Sequence, residues 1–303
     1  MKKIIQFNII VIVCILFLIE ITLFSLDYRR IRSNVNENNH YSLKSHIYNY
    51  STNFARKNFI RNYDFREQAE NKYNDSPSII LLGCSYTYGY KLSNEDSFHY
   101  ILSEALKSPV YNLAIVGGSP REMLYLLRNK PILNEQLKNV DKNNIKYIIF
   151  TYMSDHKKRI IADLYRRSPN FIITKDGNGL QFKRPNPLDN FYISRKIKEY
   201  IANKQYQSDD NFKLLCLYIE EIKKESAEIF KYQGHPAEFI LLLYDDYNNN
   251  WDILQQDNIK IIKLNEILDV NITDREYQIS EKDCHPNKKA WEIIVPQLIK
   301  ELD

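Results

Sequence analysis

A serine that directly follows an apolar run, and an aspartate two residues ahead of a histidine near the other end of the chain, are the residues whose types could do covalent chemistry. The run at 78–83 (SIILLG) leads into Cys84-Ser85-Tyr86-Thr87-Tyr88-Gly89. A serine hydroxyl attacks a carbonyl carbon effectively only when a base removes its proton and a third group holds that base. Residues 283–287 read Asp283-Cys284-His285-Pro286-Asn287. The two-residue spacing lets an extended segment direct both side chains the same way, so Asp283 can hold His285 in the tautomer that accepts the Ser85 proton. Pro286 is then suited to open a terminal helix. Taken singly, a Gly-x-Ser after a strand is commonly a turn and an Asp-x-His-Pro commonly a capping loop. Their conjunction, one at the end of the first strand and one before the last helix, is what points to chemistry. Cys84 is a rival nucleophile, although strand alternation would point its thiol away from the side of Ser85.

The elements that must position these groups are legible as short β-branched runs alternating with amphipathic stretches. The runs are at 78–83, 110–115, 147–152, 238–244 and 259–265. Short apolar runs without a polar face are the pattern of strands buried on both sides, as in parallel sheets. Between them, residues 94–107, 119–138, 211–231, 247–256 and 287–301 carry helical spacing. The expected fold is α/β, a three-layer α/β/α sandwich with a five-stranded parallel sheet. Open parallel sheets gather their ligands at the carboxyl ends of the strands, where Ser85 stands. Residues 157–210 interrupt the rhythm with Pro169, Pro185 and Pro187 among aromatic and basic residues, and read as an insertion of the kind that carries a lid or binding surface.

The N-terminus has a different character. After a tail at 1–3, residues 4–26 form a nearly unbroken apolar run, long enough to span ~30 Å of hydrocarbon as one membrane helix. A cleaved signal peptide is the rival reading, but no small-residue cleavage site follows the run. The domain at 76–303 is expected on the periplasmic or extracytoplasmic side, beyond an Asn- and Tyr-rich stalk at 27–75. A net charge of +4 from 42 basic and 38 acidic residues gives a mixed surface, not the basic footprint of a nucleic-acid binder. The four cysteines are irregularly spaced, with Cys14 inside the apolar run, so no disulfide framework or metal motif is readable. A Cys84–Cys284 bridge is open if their loops meet, and small unbridged thiols are the plainer reading. His40, His46, His99 and His235 lack metal-ligand spacing and read as surface or cap residues. No phosphate loop, dinucleotide fingerprint or zinc helix occurs, so no cofactor and no metal is expected.

Over about 78–301 the chain resembles the SGNH hydrolase family, the GDSL esterases and lipases. Gly83-Cys84-Ser85 keeps the glycine and serine of the family's Gly-Asp-Ser block but carries cysteine for aspartate. The run from Ser85 to Gly89, with Asn94-Glu95-Asp96-Ser97-Phe98 after it, is similar to the family's Ser-aromatic-Thr-aromatic-Gly and acidic helix start. Asn112-Leu113-Ala114-Ile115-Val116-Gly117-Gly118 matches the second block, whose glycine supplies a backbone N–H to the oxyanion. The resemblance implies Gly117 for that role, with the Ser85 N–H as the other donor. A glycine pair serving only a tight turn fits as well. The third block departs from the pattern: Gly-x-Asn-Asp becomes Tyr152-Met153-Ser154-Asp155, followed by His156 and Arg159. Ser154 by its hydroxyl, or His156 by its imidazole, would have to replace the missing amide donor, which elsewhere contributes about 3 kcal/mol. Asp283 and His285 match the final block with one residue fewer between them.

The activity implied is cleavage of an acyl ester of an envelope glycan or lipid, with Ser85 as nucleophile, His285 as base and Asp283 as its orienting group. An O-acyltransferase on the same triad, and a catalytically silent glycan-binding envelope protein, are the alternatives.

Overall fold

Five short segments pair side by side. They are β1 (Ser78–Leu82), β2 (Val110–Asn112), β3 (Ile145–Tyr152), β4 (Glu238–Leu243) and β5 (Lys260–Lys263). The computed structural model describes residues 76–161, 170–173, 179–183, 209–245, 249–255 and 258–302, together with Leu18, Thr22 and Tyr73. The strands form one parallel sheet in the order β2-β1-β3-β4-β5. After β2 the chain returns across β1 to lay down β3 on its other side, so the winding reverses at β1. In open parallel sheets such a reversal is where ligands bind, here beyond the carboxyl ends of β1 and β3.

Side chains alternate across the pleat, and both sets are buried. Ile79, Leu81, Tyr147, Ile149, Ile240 and Leu242 share a core with Phe98 and Leu102 of α2 (Phe98–Leu106) and with Trp291 and Ile294 of the terminal helix. Phe98 and Trp291 stack there at 4.4 Å. On the other face Ile80, Leu82, Ile148, Phe150 and Leu241 pack with Met123 and Leu127 of α3 (Pro120–Arg128) and Leu215 and Ile219 of α6 (Asp209–Ile229). Helices thus cover both faces of a five-stranded parallel sheet. This two-sided burial is why the strands read as continuous apolar runs rather than alternating ones.

Other helices include α1 (Ser85–Tyr88), α4 (Lys130–Gln136), α5 (Asp155–Ile161) and α7 (Lys288–Leu302), besides single turns at Asp252–Gln255 and Leu264–Ile267. The stretch 119–138, expected as one helix, is two. Ser119 caps α3 in a capping box with Glu122, whose carboxylate accepts the Ser119 N–H at 2.9 Å. Asn129 then leaves the helical region, and Pro131, with no N–H to donate, sits in the first turn of α4. Pro286 does not open the terminal helix: it ends a strand, Asp283–Pro286, and Asn287 caps α7 by accepting the Ala290 N–H at 3.1 Å. His99, expected as a surface or cap residue, lies in the first turn of α2 and is fully buried, with its Nδ1 at 2.8 Å from the hydroxyl of the N-cap residue Ser97.

Within 157–210, the described residues are the end of α5, an antiparallel hairpin of Asn170–Ile173 with Leu180–Lys183, and the start of α6. Leu180 is buried in the core and its carbonyl accepts Arg128 Nη1 at 2.6 Å, which ties the hairpin to the helical layer. Apart from Leu18, Thr22 and Tyr73, the expected anchor at 4–26 and stalk at 27–75 lie outside the described residues. Among the described residues no helix is long and apolar enough to cross a membrane.

Gly83, between β1 and the serine, has φ +153°, and a Cβ there would sit 2.3 Å from Thr87 Oγ1 and 3.3 Å from the Thr151 carbonyl oxygen. Gly83→Ala is expected to destabilise the chain by roughly 2–3 kcal/mol through this overlap and the unfavourable φ. Urea unfolding checks it; an unchanged midpoint would show that the junction relaxes freely.

Candidate active site

The first strand ends on Gly83, and Cys84 carries the backbone in extended geometry to α1, whose first residue is Ser85. Four residues suffice for this helix because Gly89 ends it in the left-handed region, with φ +76°. At the far end of the chain Asp283–Pro286 pairs with Gln278–Ser280 as an antiparallel hairpin. Asn287 pins its base, donating from Nδ2 to the carbonyls of Glu276 and Gln278, each at 2.9 Å. The extended backbone at 283–286 sets Asp283 and His285, two residues apart, to the same side.

The two segments meet. The Ser85 hydroxyl lies 2.8 Å from His285 Nε2 across 200 positions of sequence, and His285 Nδ1 lies 2.5 Å from Asp283 Oδ1. The His285 backbone N–H also donates to Asp283 Oδ1, at 3.2 Å. With Nδ1–H donating to the carboxylate, the Nε2 lone pair faces the serine hydroxyl, which is the tautomer a general base requires. Ser85 is 5 % exposed, whereas the His285 side chain is 21 % exposed, so the relay is sheltered but reachable from one side.

Three further side chains frame it. The rings of Tyr86 and Tyr90 each lie 5.1 Å from the imidazole. Tyr86 packs edge-on against Tyr244 at 5.0 Å and points its hydroxyl at Cys284 Sγ, 3.2 Å away, and burial pushes its phenol pKa up. Lys91 places its ammonium 2.7 Å from Asp283 Oδ2, the oxygen that His285 does not use. Burial of Asp283 works to raise its pKa, but the hydrogen bonds from Lys91 and then His285 outweigh it, so the carboxyl titrates below its ordinary value.

The other expected residues are placed as follows. Gly117 sits in the loop after β2 with φ +73°, a conformation that favours glycine. That loop is drawn against the serine loop: Ile115 N–H donates to the Gly83 carbonyl at 3.1 Å, and a Cβ on Gly118 would lie 3.3 Å from the same oxygen. Asn112 strengthens the junction, donating from Nδ2 to the Thr87 carbonyl at 2.8 Å. Ser154 is engaged otherwise than expected. Its hydroxyl donates to Asp245 Oδ2 at 2.8 Å and its backbone N–H to Asp245 Oδ1, so that hydroxyl proton is directed to a carboxylate rather than to an oxyanion. His156, the other candidate donor, is fully buried, stacked on Phe150 at 6.0 Å and edge-on to Tyr152 at 5.5 Å. Burial and the charge of Arg159 hold its pKa well below the ordinary histidine value.

Arg159 joins loops. Its Nη1 donates to the Gly118 carbonyl at 2.7 Å and its Nη2 to Asp155 at 3.2 Å, and it also hydrogen-bonds the Cys84 thiol. The loops after β1, β2 and β3 are therefore tied to one guanidinium. Cys84 is buried against Met153, sulfur to sulfur at 3.4 Å, and burial raises its pKa despite Arg159. It is a poor thiolate candidate. Cys84, Cys216 and Cys284 are unbridged. Among the described residues no cluster of three or more His, Cys, Asp or Glu side chains could hold a metal ion.

Sequence reading missed Lys91 and Asp245. Asp245 follows β4, at the carboxyl edge where open α/β sheets place functional groups, and that position is a usable signal. Nothing local announces that Lys91 would reach Asp283.

No protein-family model matches the chain, and no curated protein does. Solved structures similar to it include the psychrotrophic esterase EstA from a Pseudoalteromonas species, at 14% identity over 74% of this chain and 96% of that one, with a TM-score of 0.40. TesA is similar at 14% identity, covering 75% of this chain and 98% of its own, with a TM-score of 0.40. The acetyl xylan esterase Est2A from the rumen bacterium Butyrivibrio proteoclasticus is 12% identical over 75% of this chain and 63% of its own, with a TM-score of 0.37. Identities and scores at this level leave function to be read from this chain's own side chains.

The thiol geometry is directly testable. Iodoacetamide at neutral pH should alkylate exposed Cys284 at least ~100-fold faster than Cys84 or Cys216, the latter buried with its pKa pushed up to about 12. Peptide mapping by mass spectrometry reads the sites, and early modification of Cys84 in the folded protein would reinstate it as a nucleophile.

Proposed function

We propose that the chain is a serine ester hydrolase in which Ser85, His285 and Asp283 act as one relay. The observation that carries this is the continuous hydrogen-bonded path from the Ser85 hydroxyl through both ring nitrogens of His285 to Asp283. In the first half-reaction Ser85 Oγ forms a bond to the ester carbonyl carbon while His285 Nε2 takes the hydroxyl proton. Collapse of the tetrahedral intermediate breaks the C–O bond to the leaving alcohol, which departs with that proton. Water then attacks the acyl-serine while His285 takes a proton from it; the acyl C–Oγ bond breaks, His285 returns the proton to Ser85 Oγ, and the carboxylic acid leaves. Asp283 stays ionised throughout and supports the imidazolium formed at each step.

Negative charge on the former carbonyl oxygen needs donors, and this reading assigns the backbone N–H groups of Ser85 and Gly117 to it. Asp245 directs the Ser154 hydroxyl elsewhere, so the hole is built chiefly from backbone. The substrate proposed is an O-acyl group on an envelope glycan or lipid, reached from a membrane tether at 4–26. Recovery of the full-length chain from membranes after alkaline extraction is the expected result for the tether, and a soluble chain lacking residues 1–26 would contradict it.

Ser85→Ala and His285→Ala should each lower kcat on a short aryl ester by about 10³-fold or more, with the double variant hardly worse, because relay members act as a unit. Asp283→Asn should cost roughly 10²–10⁴-fold, since it disturbs the tautomer and charge support of the base. Steady-state kinetics on variants with native circular dichroism checks both. Wild-type turnover by Ser85→Ala would refute the hydrolase reading.

A further inference from the structure

We propose that Lys91 is a positioning residue of this relay, its ammonium holding the Asp283 carboxylate in the orientation that serves His285; this rests on the serine-hydrolase reading. Two independent features point to it. The ammonium sits 2.7 Å from Asp283 Oδ2, while His285 occupies Oδ1, so the two partners together fix the plane of the carboxylate. The backbone of Lys91 lies in the left-handed region at φ +64°, a conformation that disfavours a residue with a Cβ. The turn that imposes it, closed by the Leu92 N–H on the Gly89 carbonyl at 3.0 Å, also sets the Tyr90 ring against the imidazole. One turn therefore supports both the base and its carboxylate, from the segment that supplies the nucleophile.

The electrostatics define what Lys91 does. Burial favours the neutral carboxyl, and a neutral Asp283 could neither hold Nδ1–H strongly nor support an imidazolium. The hydrogen bond from Lys91 is the largest effect opposing burial at Asp283. Other titratable groups around the relay are His285, which contacts Asp283 directly, Cys284 between them on the strand, and Tyr86 and Tyr90, whose rings lie against the imidazole. The paired strand Gln278–Ser280 carries none. In the connecting turn Glu281 pairs with Arg275 at 3.2 Å and Lys282 is exposed, while at the head of α7 Lys288 pairs with Asp96 and Lys289 with Glu276. Lys91 is thus the cation that directly contacts this carboxylate among the described residues.

The sign of the pH effect follows. A carboxylate whose folded pKa is depressed contributes above that pKa and loses its effect as pH falls through it. Without Lys91 the burial penalty is less opposed, so Asp283 protonates at a higher pH. The full chain and its Lys91→Met and Lys91→Arg variants would be compared by kcat and KM on a short aryl ester across pH, and by carboxyl 13C NMR titration of Asp283. Lys91→Met is expected to lose about tenfold in kcat at neutral pH with KM nearly unchanged, and to raise the Asp283 midpoint. Lys91→Arg should recover most of each. If wild-type turnover depends on Ser85 while Lys91→Met keeps the wild-type kcat and Asp283 midpoint, the Lys91 proposal alone falls. If the wild-type chain shows no Ser85-dependent turnover, the hydrolase reading falls and takes the proposal with it.

Discussion

The hydrogen bond between the Ser85 hydroxyl and His285 Nε2 joins residues at opposite ends of the folded domain, and a modest displacement of either would break it. Each side must therefore be held by structure that has little freedom. On the serine side, β1 is buried on both faces and Gly83 turns the chain so tightly that no side chain fits between it and Thr87. On the histidine side, the hairpin of Gln278–Ser280 with Asp283–Pro286 is clamped by Asn287, which also starts α7. That helix carries Trp291 into the core beside Phe98. The packing of Trp291 on Phe98 thus connects the sheet's hydrophobic layer to the position of the base.

Electrostatics in the site follow from partial burial. An aspartate sheltered from water would drift toward neutrality, yet the role read for Asp283 needs it charged. Lys91 and His285 offset that cost from two directions, one on each carboxylate oxygen. Placed in solvent, the same ion pair would contribute little. Here its value lies in the ionisation state and orientation of Asp283 more than in stability. Arg159 has a comparable place among the loops, because its contacts with Gly118, Asp155 and Cys84 tie together the ends of three neighbouring strands.

The strands, their parallel arrangement and the helices of both layers were legible because two-sided burial leaves an unmistakable apolar run, as in Ile79–Leu82 and Phe239–Leu243. Ser85, Asp283 and His285 were legible for another reason: strand-end position and two-residue spacing are local properties of sequence. The division of 119–138 at Asn129 could have been read from Pro131, whose missing N–H was available to see. Ser154 could not, since its hydroxyl is directed by Asp245, a residue 91 positions away. Lys91 was hidden likewise, because a surface lysine after a glycine turn looks like any other until the terminal hairpin is folded against it. Long-range polar pairing is the information that periodicity and local motifs do not carry.

The central claim is that Ser85 is an activated nucleophile, and stoichiometric reaction with a fluorophosphonate measures that most directly. The reagent phosphonylates a serine hydroxyl rapidly only when an adjacent base removes its proton. One phosphonyl group per chain, mapped by mass spectrometry to Ser85 and lost on His285→Ala substitution, is the result the account predicts. A folded wild-type chain that remains unlabelled, or that carries the label on another residue, would contradict it.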